Sequence, residues 1–362
     1  MDILLIEPFF TGSHKAWAEG YRRNSRHRVE LLTLPGRYWK WRMHGGAVSL
    51  ARAYRQRATD PDLILATDML DLATFLALTR DRTAGIPIAT YFHENQAAYP
   101  WSPSDRDAAR GSHRHYQFLN YTSALAADLP LFNSRFNRDS FLEGIRELLH
   151  GSPDLPEEPA LDGLATRCEV LPLGLDLAPF DEHAATGPAF DAPLVLWNHR
   201  WEHDKNPDGF FRVLFRLAES GLDFRVAVLG EPPRSYPAIF DEARERLGER
   251  IVHFGFTDSF ADYARWLWAA DILPVTSWHD FFGISVMEAV YCRTLPLLPH
   301  RQAYPEILPE DWHEACLYTD EADLEARLAQ MLQQGPAPDQ HELTASATTY
   351  DWSRMIARYD DR

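Results

Sequence analysis

The sequence is poor in cysteine, in basic charge and in long apolar runs. Its three cysteines, Cys168, Cys292 and Cys316, are scattered, which excludes a disulfide framework and a cysteine-rich zinc site and points to a reducing compartment. No stretch approaches the ~20 apolar residues that a membrane-spanning helix needs. The first residues include Asp2 and Glu7, so they lack the basic and apolar regions of a signal peptide. We therefore expect a cytoplasmic protein.

The shortage of basic charge argues at first against a nucleic-acid partner. The 362 residues carry 53 Asp and Glu against 36 Lys and Arg, a net charge of −17, whereas binding to polyanions depends on basic side chains. The charge is uneven, however, because residues 1–58 hold eleven basic residues and four acids. This stretch also contains Tyr38, Trp39 and Trp41, a mixture that suits RNA phosphates and unstacked bases. Solvated basic helix faces are the alternative interpretation.

Short apolar runs alternate with helical patterns along the chain, which is typical of parallel α/β layers. The runs lie at 1–7, 63–67, 87–92, 129–132 and 170–173, and then at 194–198, 224–229, 251–254, 272–275 and 295–298. The composition, 45% hydrophobic and 25% charged, is that of a globular protein with room for two cores. The pattern predicts an α/β fold with two Rossmann-like domains.

Two segments rich in Pro, Gly, Ala and acids, 151–165 and 181–193, are predicted to be loops. The second is the better boundary, so we expect a first domain over 1–186 and a second over 194–345. A C-terminal helix within 346–362 is expected to cross back to the first domain. Since ligands of such sheets bind at the carboxyl ends of the strands, two facing domains would hold a ligand in the cleft between them.

The strongest local signal is a pair of acids, Asp280 and Glu288, on either side of a helix start. Gly283 lets the chain turn closely into this helix. The free N–H groups of the helix start suit a phosphate, and the two carboxylates can accept hydrogen bonds from hydroxyl groups beside it. We therefore predict a sugar-nucleotide site that also includes Phe282 and Ile284. A capping Asp and a solvated Glu would explain the acids equally well.

Two basic residues, Arg200 and Lys205, follow the first strand of the second half. A departing diphosphate needs its growing negative charge neutralised, and an Arg with a Lys can do this without a metal ion. The histidine pairs at 113 and 115 and at 199 and 203 lack a third ligand at suitable spacing. We expect no metal and no cofactor, and we predict catalytic roles for the two basic residues.

Polar residues also follow two strands of the first half. The first group is Gly12, Ser13, His14 and Lys15, and the second is His93, Glu94 and Asn95. Gly12 would allow a ligand to approach the backbone closely, and a neutral imidazole at His93 could bond a sugar hydroxyl or a phosphate. Glu94 and Asn95 could hold either the loop or an acceptor. A structural histidine bonded to a carbonyl is the alternative for His93.

Together these residues resemble the retaining, metal-independent glycosyltransferases of the GT-B fold. That group carries two acids separated by seven residues, as at Asp280 and Glu288, and an Arg with a Lys, as at Arg200 and Lys205. Two positions depart from the pattern, because Asp280 stands where Glu is usual and Arg293 where Gly is usual. Both departures bear on the donor more than on the class of reaction.

A narrower resemblance lies in the first half of the chain. The blocks that carry it include Gly12-Ser13-His14-Lys15, Trp39-Lys40-Trp41-Arg42, Tyr91 to Gln96, Phe132 to Asn137, and Tyr304-Pro305-Glu306. They look like the tRNA-queuosine α-mannosyltransferase family. The resemblance implies transfer of mannose from GDP-mannose, with retention, to the cyclopentenediol of queuosine in tRNA-Asp.

The resemblance also implies a role for each candidate residue. The catalytic set is His93, Arg200 and Lys205, and the donor-binding set is Gly12, Asp280, Phe282, Gly283, Ile284 and Glu288. The acceptor or RNA-binding set is Ser13, His14, Lys15, Lys40, Trp41, Arg42, Glu94 and Asn95. Three alternatives stay open: a transferase for a lipid or small molecule, a sugar-nucleotide epimerase, and a non-catalytic RNA-binding protein with a vestigial sugar-nucleotide cleft.

Overall fold

The computed structural model describes residues 1–101, 113–155, 157–184, 186–231, 236–335 and 341–362. These residues form two compact units, Met1–Leu175 with Trp352–Arg362, and Asp176–Asp351. The boundary expected between residues 186 and 194 therefore lies inside the second unit. The reason is that residues 178–183 form a short 3-10 helix that packs on the second unit, where the backbone oxygen of Phe180 accepts a hydrogen bond from Trp268 Nε1 at 2.7 Å.

The described residues of the first unit contain a parallel six-stranded sheet in the order β2-β1-β3-β4-β5-β6. Its strands are β1 Asp2–Phe10, β2 Arg28–Pro35, β3 Leu63–Thr67, β4 Ile88–Phe92, β5 Leu129–Phe132 and β6 Glu169–Val170. Its helices are Gly12–Asn24, Trp39–Arg55, Leu72–Thr83, Arg114–Ala126, Arg135–His150, Glu158–Ala165 and Trp352–Asp360. The last of these belongs to the first unit although it follows the second along the chain.

One predicted loop of the first unit is wrong. Within 151–165 the structure has the helix Glu158–Ala165, with Pro159 in its first turn. Leu161 and Leu164 lie on the same face of this helix and are buried in the cluster that contains Phe141. Their spacing of three residues places both side chains against the core. Packing on the sheet thus stabilises a segment whose composition is that of a loop.

The described residues of the second unit contain another parallel six-stranded sheet, in the order β12-β11-β10-β7-β8-β9. Its strands are β7 Leu194–Trp197, β8 Arg225–Leu229, β9 Ile251–Gly255, β10 Ile272–Pro274, β11 Leu295–Pro299 and β12 Leu317–Tyr318. Its α-helices are Pro207–Glu219, Ile239–Leu247, Phe260–Ala269, Ile284–Tyr291, Tyr304–Ile307, His313–Cys316, Glu321–Gln334 and His341–Thr348. Its 3-10 helices are Ala178–His183, His203–Lys205, Gly248–Arg250 and Glu310–Trp312.

The core of the second unit explains why this sheet forms. The rings of Trp201 and Phe240 stack with centroids 4.2 Å apart and planes 5° apart, and Trp197 packs edge-on against Phe210. All four side chains are buried. Burial of aromatic side chains of this size dominates the packing energy of a core. The α/β class predicted from the sequence is confirmed in both units, and within the described residues no helix is long and apolar enough to span a membrane.

Candidate active site

The strand order of the second unit places β7 beside β10, so the loops that follow these two strands meet. Asn206 Nδ2 donates to the backbone oxygen of Thr276 at 3.2 Å, and Thr276 Oγ1 donates to the backbone oxygen of Asn206 at 2.8 Å. The backbone N–H of Trp278 donates to the backbone oxygen of Asp204 at 2.7 Å. Two motifs that are far apart in the sequence are therefore joined at the carboxyl edge of one sheet.

Lys205 and two carboxylates form the charged centre of this edge. Lys205 Nζ lies 3.1 Å from Asp204 Oδ2 and 3.7 Å from Asp280 Oδ2, and it donates to the backbone oxygen of His279 at 3.0 Å. The Lys205 side chain is only 12% exposed. Burial opposes its charge, but Asp280 and Asp204 raise the pKa of Lys205 above its usual value. The ammonium group is therefore a fixed positive charge.

Asp280 is held from several sides. Its backbone N–H donates to Gln302 Oε1 at 2.8 Å, and Tyr304 OH lies 3.5 Å from its Oδ2. Burial works to raise the pKa of Asp280, but the Lys205 ammonium outweighs it and keeps that pKa below the usual value. Asp280 is thus an ionised carboxylate, able to accept hydrogen bonds from a ligand's hydroxyl groups.

Arg200 lies outside this charged centre. Its side chain is 65% exposed, and Nη1 lies 3.2 Å from Glu202 Oε1. The sequence predicts that Arg200 and Lys205 act together on one diphosphate. In the structure Lys205 pairs with Asp280, which follows β10, whereas Arg200 pairs with Glu202 in its own loop.

His199, treated in the sequence only as a candidate metal ligand, lies at the helix start instead. Its Nδ1 is 3.1 Å from Ser285 Oγ, in the first turn of the helix Ile284–Tyr291. Among the described residues, Nε2 of this buried ring has no hydrogen-bond partner. Burial and the charge of Lys205 lower the pKa of His199 to about 4, so the ring is neutral.

The helix Ile284–Tyr291 begins as the sequence predicts. Gly283 has a φ of +99°, which a side chain would strain, and within the described residues no side chain caps this helix. Phe282 is the exception among the donor-binding candidates, because its ring is buried edge-on against Tyr350, with centroids 5.2 Å apart. Phe282 therefore supports the turn with its ring, and Ile284 opens the helix behind it.

Glu288 lies one turn into this helix, and Tyr263 OH donates to its Oε2 at 2.7 Å. Burial raises the pKa of Glu288 to about 7, and the bond from Tyr263 limits the rise. The solvated helix residue of the alternative interpretation is therefore wrong. Just beyond the end of the helix, Arg293 has a φ of +66°, the left-handed conformation that favours the glycine expected here from the resemblance.

The first unit has a separate cluster at the carboxyl end of β1. His14 Nδ1 lies 2.9 Å from Glu7 Oε2, and both side chains are buried. Burial opposes a charge on the ring, but Glu7 raises the pKa of His14 to about 9, so the two residues form an ion pair at neutral pH. His14, predicted to contact the acceptor or RNA, is thus already paired within the protein.

His93 packs directly on this ion pair, with its ring centroid 4.3 Å from that of His14. Its backbone N–H donates to Asp68 Oδ1 at 3.0 Å, and within the described ranges its buried Nε2 has no hydrogen-bond partner. Burial and the charge of His14 hold the pKa of His93 well below its usual value. The ring is a neutral imidazole with an unused nitrogen, and the carbonyl-bonded alternative finds no support at Nε2.

Ligand atoms of Glu7, His14 and His93 lie within 4.8 Å of one another, close enough to hold a metal ion. The sequence did not predict this group, because its members come from two strand ends. The hydrogen bond between Glu7 and His14 already joins two of the three donors.

A hydroxyl group from the C-terminal helix supports His93 from the protein interior. Trp17 packs edge-on against His93, with centroids 4.6 Å apart, and its Nε1 donates to Tyr359 OH at 3.0 Å. Tyr359 OH also lies 3.1 Å from Tyr91 OH and 2.9 Å from the backbone oxygen of Pro172. The helix Trp352–Asp360 therefore completes the packing behind the imidazole.

The two remaining residues of the second polar group, Glu94 and Asn95, differ in their burial. Asn95 is fully buried, its Nδ2 donates to Asn137 Oδ1 at 2.9 Å, and its Oδ1 accepts from the Ala98 N–H at 2.8 Å. Its predicted contact with the acceptor or RNA is therefore wrong, because both ends of its amide hold the loop. Glu94 is partly exposed, and its Oε1 accepts from Gln96 Nε2 at 3.3 Å.

The aromatic residues of the basic stretch 1–58 that were singled out in the sequence lie at the start of the helix Trp39–Arg55. Tyr38 and Trp41 are 75% and 65% exposed, and Lys40 Nζ lies over the ring of Trp101 at 5.2 Å from the centroid. Arg42 Nε donates to the backbone oxygen of Pro35 at 3.1 Å. Large exposed aromatic side chains beside basic groups are typical of a binding surface.

A second exposed group lies at the start of the helix Gly12–Asn24. Gly12 has a φ of +50°, and no atom lies within 4 Å of where its Cβ would be. Ser13 and Lys15 are exposed, and Lys15 Nζ lies 5.8 Å from the Phe10 ring centroid. The space at Gly12 leaves room for a ligand at the backbone, and its contact with the donor stays a prediction.

Two family models match this chain. Residues 2–175 match the family model described as tRNA-queuosine alpha-mannosyltransferase N-terminal, and residues 180–349 match that of Glycosyl transferases group 1. Among solved structures, HepE of Anabaena in complex with UDP has a TM-score of 0.70 at 15% identity and covers 100% of this chain and 99% of that chain. The sucrose-phosphate synthase of Thermosynechococcus elongatus has a TM-score of 0.71 at 13% identity, covering 100% and 98%. The GT-B fold predicted from the resemblance is confirmed.

Two curated relatives of this chain are named as mannosyltransferases. The GDP-mannose-dependent alpha-(1-6)-phosphatidylinositol dimannoside mannosyltransferase of Mycobacterium tuberculosis is 27% identical over 69% of this chain and 60% of its own length. The tRNA-queuosine alpha-mannosyltransferase of Drosophila melanogaster is 35% identical over 322 residues, which cover 85% of this chain and 82% of that protein. The chain is therefore a glycosyltransferase that belongs to the tRNA-queuosine alpha-mannosyltransferase family.

Proposed function

We propose that the protein transfers mannose from GDP-mannose to the cyclopentenediol of queuosine in tRNA-Asp, with retention and without a metal ion. The observation that carries the proposal is the likeness to the Drosophila enzyme over 85% of the chain. The name of the mycobacterial relative supports GDP-mannose as the donor. The residues at the carboxyl edges of the two sheets supply the chemical groups that such a transfer needs.

The departing GDP is stabilised chiefly by Lys205. Its ammonium is a buried, fixed cation, and the uncapped start of the helix at Gly283 offers free backbone N–H groups to a phosphate. Arg200 is exposed and adds a mobile charge that can reach the diphosphate after donor binding. Preorganised charge aimed at a leaving group is worth roughly 10²–10³-fold in rate for each donor, so these groups replace a metal ion.

The sugar and the ribose are held by the two acids. Asp280 is ionised beside Lys205 and accepts hydrogen bonds from mannose hydroxyls. Glu288 faces the ribose, and Tyr263 fixes the position of its carboxyl group. Since Asp280 is one methylene shorter than Glu, its carboxylate stays close to Lys205 and binds the sugar at a longer reach.

In the first unit, His93 positions the reacting groups. Its neutral ring and unused buried Nε2 offer a hydrogen bond to a hydroxyl of the donor or the acceptor. The transfer proceeds on the front face of the sugar, with no covalent intermediate on the protein. The departing diphosphate oxygen then takes the proton of the acceptor hydroxyl as the new glycosidic bond forms.

The RNA acceptor binds to the exposed basic and aromatic surface of the first unit. Lys15, Lys40 and Arg42 supply positive charge for phosphates, and Trp41 supplies an exposed ring for an unstacked base. Ser13 and Glu94 are accessible for hydrogen bonds to the modified nucleoside. Because the overall charge is −17, this basic face is the preferred surface for the RNA phosphates.

The test is incubation of the purified protein with total tRNA from cells that make queuosine and from cells that do not, using a panel of labelled sugar nucleotides. We expect label only in the queuosine-containing pool and only from GDP-mannose. Label in both pools would contradict queuosine as the acceptor. Label in neither pool, together with transfer to a lipid or a small molecule, would favour a different acceptor class.

A further inference from the structure

Trp278 is exposed, although its neighbours in the loop after β10 are buried. Half of its surface, 51%, is accessible, whereas Thr276, Ser277 and His279 are buried. The exposed indole leaves a large apolar surface in water, in the same loop as the proposed donor-binding residue Asp280. The ring offers a large, rigid surface on which a binding partner could pack.

The backbone around this ring is rigid. The N–H of Trp278 donates to the backbone oxygen of Asp204 at 2.7 Å, and its own backbone oxygen accepts a hydrogen bond from Gln302 Nε2 at 2.5 Å. Neither bond involves the indole. The side chain can therefore be replaced without loss of the bonds that hold the loop.

A guanidinium group lies over the indole. The Arg301 carbon Cζ is 5.1 Å from the ring centroid of Trp278, and Arg301 Nη2 donates to the backbone oxygen of Ser277 at 2.8 Å. The cation is thus fixed against the ring by a second contact. A cation over an aromatic face adds to its binding energy, and it holds the ring in one orientation.

The ring lies beside the charged centre. Trp278 precedes Asp280 by two residues, and its N–H bond leads to Asp204, whose side chain pairs with Lys205. A group stacked on Trp278 would therefore lie next to the bound sugar. The surroundings are charged, with Asp280, Arg301 and Lys205 close by, which suits a polar aromatic ligand and disfavours a lipid chain.

We propose that Trp278, backed by Arg301, is a stacking platform for an unstacked base of the tRNA acceptor. The inference rests on the proposed function, and it assigns an RNA contact to the second unit. Stacking on an aromatic ring tolerates any base, since every base has a π-face. The platform fixes the acceptor nucleotide beside the donor, while base identity is recognised elsewhere.

The test compares Trp278→Leu with Trp278→Phe, because leucine keeps an apolar side chain and phenylalanine keeps a ring. The matched control is Phe256→Leu. Phe256 is also an exposed aromatic residue, and it follows β9, the edge strand of the same sheet. For each variant we would measure the KM for queuosine-containing tRNA, the KM for GDP-mannose and the equilibrium binding of that tRNA. We expect Trp278→Leu to raise the KM for tRNA and the dissociation constant roughly tenfold.

Trp278→Phe should keep most of the tRNA affinity that Trp278→Leu loses. Phe256→Leu should bind tRNA as the unmodified protein does, and the KM for GDP-mannose should be the same in all variants. Equal tRNA binding by Trp278→Leu and the unmodified protein would overturn the platform, and so would equal losses with leucine and phenylalanine. Should the unmodified protein bind tRNA without transferring mannose, the proposed function fails while the binding comparison still decides the platform. A protein that binds no tRNA would overturn both.

Discussion

Lys205 Nζ lies 3.7 Å from Asp280 Oδ2, although the two residues follow different strands. Asn206 and Thr276 hold their loops together through bonds from the side chain of each to the backbone oxygen of the other. The ammonium and the carboxylate keep each other charged in a largely buried place. The site therefore contains a preformed cation beside a preformed anion, and the proposed function assigns them to the diphosphate and to the sugar.

Replacing Lys205 with alanine should lower turnover and stability together. The kcat should fall roughly 10²–10³-fold, because a positioned donor to the leaving group is lost. The free energy of unfolding should fall by about 3 kcal/mol, because Asp204 and Asp280 lose their cation. Steady-state kinetics and urea denaturation measure the two effects.

Arg200→Ala is the matched comparison, because the Arg200 side chain is 65% exposed whereas that of Lys205 is 12% exposed. It should lower kcat and leave the midpoint of urea denaturation unchanged. Near-normal turnover in both variants would contradict the assignment of these residues to the leaving group.

Glu288→Gln should change the pH dependence of stability. Burial raises the pKa of Glu288 from 4.5 to about 7, so its contribution is fully present below pH 4.5 and is lost as the pH rises through 7. The unfolding free energy of the unmodified protein should fall over this window by on the order of 3 kcal/mol. Urea denaturation at several pH values should show a flatter profile for Glu288→Gln, and identical slopes would contradict the buried position of this carboxyl group.

The ion pair of Glu7 and His14 should make the free energy of unfolding depend on pH in a more alkaline range. Glu7 raises the pKa of His14 from 6.5 to about 9, so the stabilisation is fully present below pH 6.5 and is lost as the pH rises through 9. The loss should be on the order of 3 kcal/mol. Glu7→Gln should remove this dependence, and an NMR titration of the His14 ring should show a pKa below that of the unmodified protein. An unchanged His14 titration would contradict the ion pair.

Tyr359→Phe should disturb His93 from a distance. The change leaves Trp17 Nε1 without its acceptor and removes the contact with Tyr91 OH, which should cost about 1–3 kcal/mol of unfolding free energy. We also expect a lower kcat with an unchanged KM for GDP-mannose. The control is Tyr236→Phe, whose hydroxyl donates to Asp241 at the surface. Equal stability of the two variants would contradict the supporting role of the C-terminal helix.

Trp41→Ala should weaken RNA binding without affecting the donor. The exposed ring is expected to stack on a base, so its loss should raise the KM for tRNA roughly tenfold. Lys40→Met should instead reduce the salt dependence of binding, because it removes one phosphate contact. Fluorescence anisotropy with labelled tRNA at several salt concentrations separates the two effects. Unchanged affinity in both variants would place the RNA on another surface.

The strands of both sheets could be predicted because parallel strands are buried on both sides and appear as short apolar runs. The predicted run at 63–67 coincides with β3 Leu63–Thr67, and 129–132 coincides with β5 Leu129–Phe132. β2 Arg28–Pro35 was missed because charged and polar residues interrupt it. The helix Glu158–Ala165 was missed because its composition resembles that of a loop.

The site could be predicted where a motif and a strand end coincide, as at Asp280, Gly283 and Glu288. It could not be predicted where the partner is remote in the sequence. The pairing of His14 with Glu7 depends on the turn after β1, and the support of Trp17 by Tyr359 depends on a helix that returns after the second unit. Such contacts follow from the tertiary fold and leave no local pattern.

The proposed transfer is tested by the incorporation of labelled mannose from GDP-mannose into tRNA-Asp with and without queuosine. We predict incorporation only into the queuosine-containing tRNA, with the label in the queuosine nucleoside after digestion, and a loss of at least a hundredfold in Lys205→Ala. Equal incorporation into both tRNAs would contradict queuosine as the acceptor, and full incorporation by Lys205→Ala would contradict the role of Lys205 in the transfer.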